Sequence, residues 1–441
     1  MKKIVLAALC LAALPAVAQE ENTPENTFTL SAQLRPRFEY RNGAYVPLQE
    51  GEKPAILVNN RTRLNFDYRH GDQLQLFLSF QNVNIWGQAP QVQLNDRTGG
   101  LSIFEAYAAL PIYKDINAKI GRQMIVLDED RIFGSLDWHP AGRAHDAINI
   151  NWKNDKLTLR SFFAFNQNYF DGKAKDKLNG NVNTPKGQFF APGGQPYQHL
   201  EAVHAHYNIT PTQGVSVLVA NLGQRNDLVD DNDYNMQTIG FHYRGKSDAL
   251  RYGAEGYLQT GKNAAGKDKQ AFLLAALVGY QFTPTFSATL GLDYLSGNDT
   301  NDPTATKDKA FNPFSGTNHK FYGFMDHFYV SYSPSVGLLN PYLNLTLKTS
   351  DKGNLSATGH YFRSAGKVLG AEDNKTRHLA VEGDLVYTHK IQQYVSLQAG
   401  YSLLIPSGTY KSLRSLREVR KQQDWLWCSL NINPKLFTTK F

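Results

Sequence analysis

The sequence predicts an all-β protein: a transmembrane outer-membrane β-barrel of about eighteen antiparallel up-and-down strands. Three observations predict it. Segment after segment alternates apolar and polar residues with a period of two. The connections between those segments alternate long and short. Mean hydropathy is negative at −0.43 although aromatics make up 12% of the chain, as expected when half of every strand is polar.

Phe28 to Arg41 shows the alternation best. Phe28, Leu30, Ala32, Leu34, Pro36, Phe38 and Tyr40 fall on one face; Gln33, Arg35, Arg37, Glu39 and Arg41 fall on the other. An arginine in lipid costs roughly 2–4 kcal/mol at mid-depth. The polar face must therefore meet a water-filled lumen and the apolar face the bilayer. Further segments run over 58–69, 72–86, 101–110, 116–127, 143–152, 155–170 and 196–208. They continue over 215–226, 234–244, 249–261, 269–283, 285–297, 321–333 and 338–350, and end with 376–389, 393–405 and 423–434. Long connections fall near 42–57, 87–100, 128–142, 171–195, 227–233, 262–268, 298–320, 351–375 and 406–422. Short ones carry turn residues, such as His70-Gly71, Asn154, Pro211 to Gly214 and Pro334 to Gly337. Short turns on one side and long loops on the other are the asymmetry of outer-membrane barrels.

The ends agree. Lys2 and Lys3, the apolar run Ile4 to Leu14 and the small residues Ala16 and Ala18 have the form of a secretory signal peptide over 1–18. A short periplasmic segment, 19–27, would precede the barrel domain, 28–441. The formal charge is +7, or five without the two leader lysines. That mild excess suits anionic small solutes or polysaccharides and makes nucleic acid a poor partner. Past the leader the only cysteine is Cys428, among Trp425, Leu426 and Trp427, so no internal disulfide is expected.

Alternation turns Arg35, Arg37, Arg41, Arg61, Arg63 and Arg69 inward, with Arg143, Arg160 and Arg251 also in polar phase. Glu39, Asp67, Glu105, Glu255, Asp293, Glu382 and Asp384 share that phase. Two uses follow. Fixed guanidinium groups replace hydration for a passing carboxylate, or they form ion-pair ladders that brace a narrow lumen. Arg122 is in phase with Ala118 and Ile120, so it points inward only if the strand bends near Gly121. The loop near 128–142 is expected to be ordered by internal salt bridges, and 298–320 to be a long outer loop folded over the mouth. His139 and His145 have no ligand spacing, and Asn298 to Asp302 lacks the spacing of a calcium loop, so no metal or cofactor is expected. No GxSxG motif places a nucleophile beside a base, so no catalytic residue is assigned.

Several of these residues carry a family likeness. R-x-R-x-E-Y-R at Arg35 to Arg41, R-x-R-L at Arg61 to Leu64, FEAY at Phe104 and GRQ at Gly121 resemble the alginate export family of outer-membrane porins. So do DRIFGSLDW from Asp130, GRAHDA from Gly142, LDYLSGND from Leu292 and FNPFSGTNHKFYGFMDHF from Phe311. The likeness spans about Phe28 to Phe441. It implies a monomeric eighteen-stranded barrel in the outer membrane of a Gram-negative bacterium, surrounded by outer-membrane lipid. It implies an electropositive pore that moves an acidic polysaccharide or another organic anion passively. Its pore charges would fall on Arg35, Arg37, Glu39, Arg61, Arg63, Arg122 and Arg143. Asp67, Glu105 and Arg160 join the pore-lining set by alternation. A weakly selective structural barrel and a hydrolase with a site at its rim are the alternatives.

Overall fold

The computed structural model describes residues 25–88, 100–166, 197–225, 233–300, 302, 304–368, 377–416 and 418–441. The expected leader, 1–18, and most of the expected 19–27 segment lie outside the described residues.

One closed antiparallel sheet forms the body of the molecule. Its first strands are β1 (Asn26–Asn42), β2 (Ala55–His70), β3 (Leu74–Ile85), β4 (Ser102–Tyr113), β5 (Ile116–Gln123) and β6 (His145–Lys153). Then come β7 (Leu157–Phe165), β8 (His199–Thr210), β9 (Gln213–Arg225), β10 (Asp233–Ser247), β11 (Leu250–Gly261) and β12 (Ala271–Gln281). The rest are β13 (Phe286–Leu295), β14 (Leu338–Ser350), β15 (Gly353–Arg363), β16 (His378–Gln392), β17 (Val395–Pro406) and β18. The last, β18, consists of Gln423–Ile432 and Lys435–Lys440, split where Pro434 has no N–H for the ladder. Each strand pairs with its sequence neighbour, and β1 pairs with both β2 and β18, which closes eighteen strands into a barrel.

Alternation sets the two faces. In β1, Leu34 and Phe38 are 41% and 39% exposed on the outside, whereas Arg37 and Glu39 are 2% and 0% exposed within. Leu64, Leu290, Leu343, Leu385 and Leu426 continue the outward apolar band on other strands. An apolar outer face requires a closed sheet, because an open edge in lipid would leave backbone groups unpaired.

The strand count agrees with the expectation, but one strand does not. Residues 321–333, expected as a strand, are a looped segment inside the barrel. β15, within the expected loop 351–375, is a full strand. The two differences cancel, so nine long connections and eight short turns remain. The expected turn at 334–337 belongs to the long loop 296–337, and the true turn is Asp351-Lys352. The cause is chemical. Residues 321–333 are aromatic on both phases, so no face suits water; Tyr322, Met325 and Phe328 are instead fully buried in the lumen. β15 opens with Gly353 to Gly359, where Leu355 is the one large apolar residue among small and polar ones, so it has little apolar character by which to read as a strand.

Two long loops fill the middle of the barrel: residues 124–144 after β5 and 296–337 after β13. They are sewn to each other. The Gly134 N–H donates to the Ser315 carbonyl at 2.9 Å, and the Thr317 N–H donates to the Asp130 carbonyl at 2.9 Å. The second loop is also held by β16, where Glu382 accepts the Met325 N–H at 2.8 Å. Gly323 (φ +82°) stands directly over the Glu382 carboxylate, where a Cβ would come within 2.6 Å.

Candidate functional site: the braced lumen

The inward phase of β1 and β2 assembles a cluster of arginines. Arg35 lies directly opposite Arg61, Gln33 opposite Arg63, and Arg37 opposite Asn59. Like charges opposite one another repel, so the cluster needs an acceptor, and the first infolded loop supplies it. Arg35 and Arg61 donate to the Asp137 carbonyl at 2.7 and 3.2 Å. Arg37 donates to the Trp138 carbonyl at 3.0 Å. Arg63 donates to the Ala141 carbonyl at 3.4 Å, and Gln81 donates to the same oxygen at 2.9 Å.

The cluster contacts two carboxylates. Glu39 bridges Arg37 at 3.0 Å and Arg41 at 2.7 Å, and accepts from Trp425 and Asn59. Asp137 lies 2.8 Å from Arg61, 3.3 Å from Arg63 and 3.8 Å from Arg35. Burial alone would raise the Asp137 carboxyl, but Arg61, then Arg35 and Arg63, hold it below its usual range. His139 is lowered, by burial first and then by Arg37, Arg35 and Arg41. Burial and the three arginines both disfavour a protonated imidazole there. The Arg37 guanidinium also sits 4.4 Å over the Trp138 ring, which stacks on His319 at 4.5 Å.

Two further brackets hold the same loop. Asp128 accepts from Ser216 at 2.6 Å, lies 3.1 Å from His204 and 3.8 Å from His242, and so reaches β8, β9 and β10. Arg131 is 2.8 Å from Glu255 on β11 and 2.9 Å from Asp293 on β13, and donates to the Tyr322 hydroxyl at 3.2 Å. The loop therefore spans the lumen, bolted to opposite walls.

The other expected residues fall as follows. Glu105 faces inward and accepts the Met124 N–H at 2.9 Å, where the loop begins. Asp67 faces inward nearer the periplasmic rim, 3.2 Å from Arg69. Arg160 faces inward and donates to the Val126 carbonyl at 3.3 Å. Arg143 stands on the loop itself and donates to the carbonyls of Gly134, Ser315 and Gly316. Burial lowers it to about 10. Its role is to clamp the two loops together.

Arg122 differs from expectation. The backbone takes φ +118° at Gly121, yet the register runs on unbroken, with Arg122 opposite Ala106 and Asp146. It keeps the outward phase of Ile120, and Asp146 neutralises it at 2.8 Å. A cross-strand carboxylate, not a bend, relieves the outward charge. The brackets Asp128, Arg131 and Asp137 were not among the expected site residues. Their signal was Asp128 to Trp138, which opens on four consecutive charged residues. Asn298 is engaged internally, its amide donating to Asp308 at 3.0 Å. Among the described residues no group of three metal-ligating side chains is gathered.

A closed, even-stranded antiparallel barrel with an apolar exterior and a charged, loop-braced lumen is an outer-membrane porin of a Gram-negative bacterium. The model of the alginate export family matches residues 27–415, and the chain belongs to that family. No curated protein matches the chain by sequence. Solved structures share the fold. OccAB1 of Acinetobacter baumannii has a TM-score of 0.61 at 12% identity, covering 93% of this chain and 97% of that one. OpdL of Pseudomonas aeruginosa has 0.60 at 14%, covering 93% and 99%. OccK2 of Pseudomonas aeruginosa, solved in complex with glucuronate, has 0.59 at 13%, covering 93% and 97%. The family and these neighbours are channels, not enzymes.

Proposed function

We propose that this porin is a passive channel for anions, namely anionic saccharides or polysaccharides and small organic anions, moving down their own gradient. One observation carries the reading. Arg35, Arg37, Arg41, Arg61 and Arg63 converge on the braced centre of the lumen, and among the described residues their carboxylate ion-pair partners are Glu39 and Asp137. The surplus positive charge faces a cavity of about 390 Å³ lined by Arg37, Arg41, Asn59 and His139. Fixed guanidinium groups there replace part of an anion's hydration, and the partial neutralisation by acids lets it leave again. Asp67, Glu105 and Arg160 belong to the same inward wall, and Arg143 acts by holding the loops that narrow it. Arg122, on the outer face, has no part in the passage. The solute class is supported by family membership and by a structural neighbour that binds glucuronate. Every strand is paired within the one chain, so the barrel needs no partner to close, and a monomer in outer-membrane lipid is the assembly proposed.

A second reading has its own support. Arg35, Arg37, Arg61 and Arg63 all donate to loop carbonyls, so they could serve bracing alone and leave the channel weakly selective. Reversal potentials in planar bilayers under a KCl gradient separate the two. Anion preference is expected in the wild type, reduced severalfold by Arg37→Glu. Cation preference in the wild type would sink the anion reading, and unchanged selectivity in Arg37→Glu would assign Arg37 to bracing.

A further inference from the structure

Asp137 occupies the position a solute carboxylate would take. Its Oδ1 is 2.8 Å from Arg61 and 3.3 Å from Arg63, and its Oδ2 is 3.8 Å from Arg35. The exposures are lopsided: the Arg61, Arg63 and Arg35 side chains are 0%, 9% and 13% exposed, but Asp137 is 50% exposed. The cations are built into the wall, whereas the acid approaches from the open side. It also arrives on a loop, while Glu39, the other acid of the cluster, sits on a strand among four partners.

A second observation points to an anion beyond Asp137. The Nη2 atoms of both Arg37 and Arg61 are buried without an acceptor, though the residues are only 2% and 1% exposed. Buried guanidinium N–H groups without acceptors are costly. Two carboxylate oxygens shared among three arginines leave donors unfilled. Arg37 also lines the adjoining cavity, with Arg41, Asn59 and His139.

We propose that Asp137 is a tethered competitor: a loop carboxylate that fills an anion site built by Arg35, Arg37, Arg61 and Arg63, and that a solute carboxylate takes the site by displacing it. The inference rests on the anion-channel reading and adds the residue that tunes it. Four clustered arginines with nothing in their midst would hold an anion too long for conduction, which requires binding weak enough for release. A group on a short tether competes at an effective concentration on the order of mM. Solute below that level finds the site closed, and solute above it displaces the acid and weakens the grip of the arginines on residues 135–141. The preferred solute is then a carboxylate able to bridge two guanidinium groups, in preference to a spherical halide.

Two measurements on the full chain test this, with sodium gluconate as the probe. In planar bilayers, Asp137→Asn keeps the backbone carbonyls that hold the loop and removes only the competing charge. The gluconate concentration that halves the current is expected to fall about tenfold, with higher anion preference, while Asp137→Glu stays near wild type. In the wild-type protein, gluconate is expected to speed amide hydrogen exchange over 135–141. An unchanged or higher half-block concentration in a folded Asp137→Asn barrel overturns the proposal, as does unchanged or slowed exchange in the wild type. Cation preference in the wild type would overturn the anion reading itself. Anion preference with no response to Asp137→Asn overturns the competitor alone.

Discussion

Opposite walls of the lumen hold the same loop by opposite stoichiometry. On the β1–β3 wall, five arginines meet two acids, and much of the holding is done by neutral loop carbonyls. On the β11–β13 wall, one loop arginine, Arg131, meets Glu255, Asp293 and the Tyr322 hydroxyl. Arg131 is 4% exposed, and the Asn340 amide closes off the second Asp293 oxygen at 3.0 Å. Both walls are rich in ionisable groups, but on the first the arginines outnumber the carboxylates they pair with, whereas Arg131 is met by two. An inventory of lumen charges therefore does not identify a filter. What matters is the local ratio of cation to acid and whether solvent reaches the pair.

The sharpest way to break the comparison is Arg131→Met. It would leave Glu255 and Asp293 buried together without their cation. Removing one partner of a buried ion pair costs about 3–5 kcal/mol, and here two acids lose the same partner. The loop is expected to come away from that wall while the barrel stays closed, because strand pairing does not pass through Arg131. Conductance should rise and amide exchange over 124–136 should accelerate, with anion preference kept because the arginine wall is intact. Loss of anion preference in this variant would mean that the two walls do not act separately.

Much of this was legible in the sequence, and the exceptions have physical causes. Alternation placed Arg35, Arg37, Arg61 and Arg63 inward because period two is a property of the backbone and needs no knowledge of partners. It could not show that those arginines meet loop carbonyls, since nothing local tells an inward loop from an outward one. One clue was available at 321–333. A porin strand needs one face for water, and Phe321, Tyr322, Phe324, Met325, Phe328 and Tyr329 leave none. Arg122 failed for a related reason: its relief, Asp146, lies on the next strand, and cross-strand register is invisible until the strands are paired.

A pH series sharpens the comparison on the arginine side. The arginines hold the Asp137 carboxyl below its usual value. A depressed carboxyl contributes its full tether above the ordinary carboxylate value, about 3.9, and loses it as pH falls through the depressed one. The protection factors over 135–141, with the intrinsic pH dependence of amide exchange divided out, are therefore expected to stay level from about pH 7 to 5 and to fall only below about pH 4. His139 is lowered as well, by burial first and then by Arg37, Arg35 and Arg41. A loss of protection that begins near pH 6 would show that a histidine, not Asp137, governs the loop.

The smallest effect belongs to the pair that resembles the filter in sequence but not in setting. Arg69 lies on the same inward phase of β2 as Arg61 and Arg63, and it faces Asp67 at 3.2 Å. Arg69 is 52% exposed and Asp67 is 25% exposed. An exposed ion pair contributes at most about 1 kcal/mol, less in salt. Arg69→Gln should leave the thermal unfolding of the barrel within a degree or two. It should shift the reversal potential far less than Arg37→Glu, because mobile ions screen a charge in open water over about 10 Å at 0.1 M salt. If the two substitutions moved selectivity equally, the filter would be the summed charge of the inward wall. If Arg69→Gln is nearly silent, selectivity belongs to the few arginines whose surroundings exclude water.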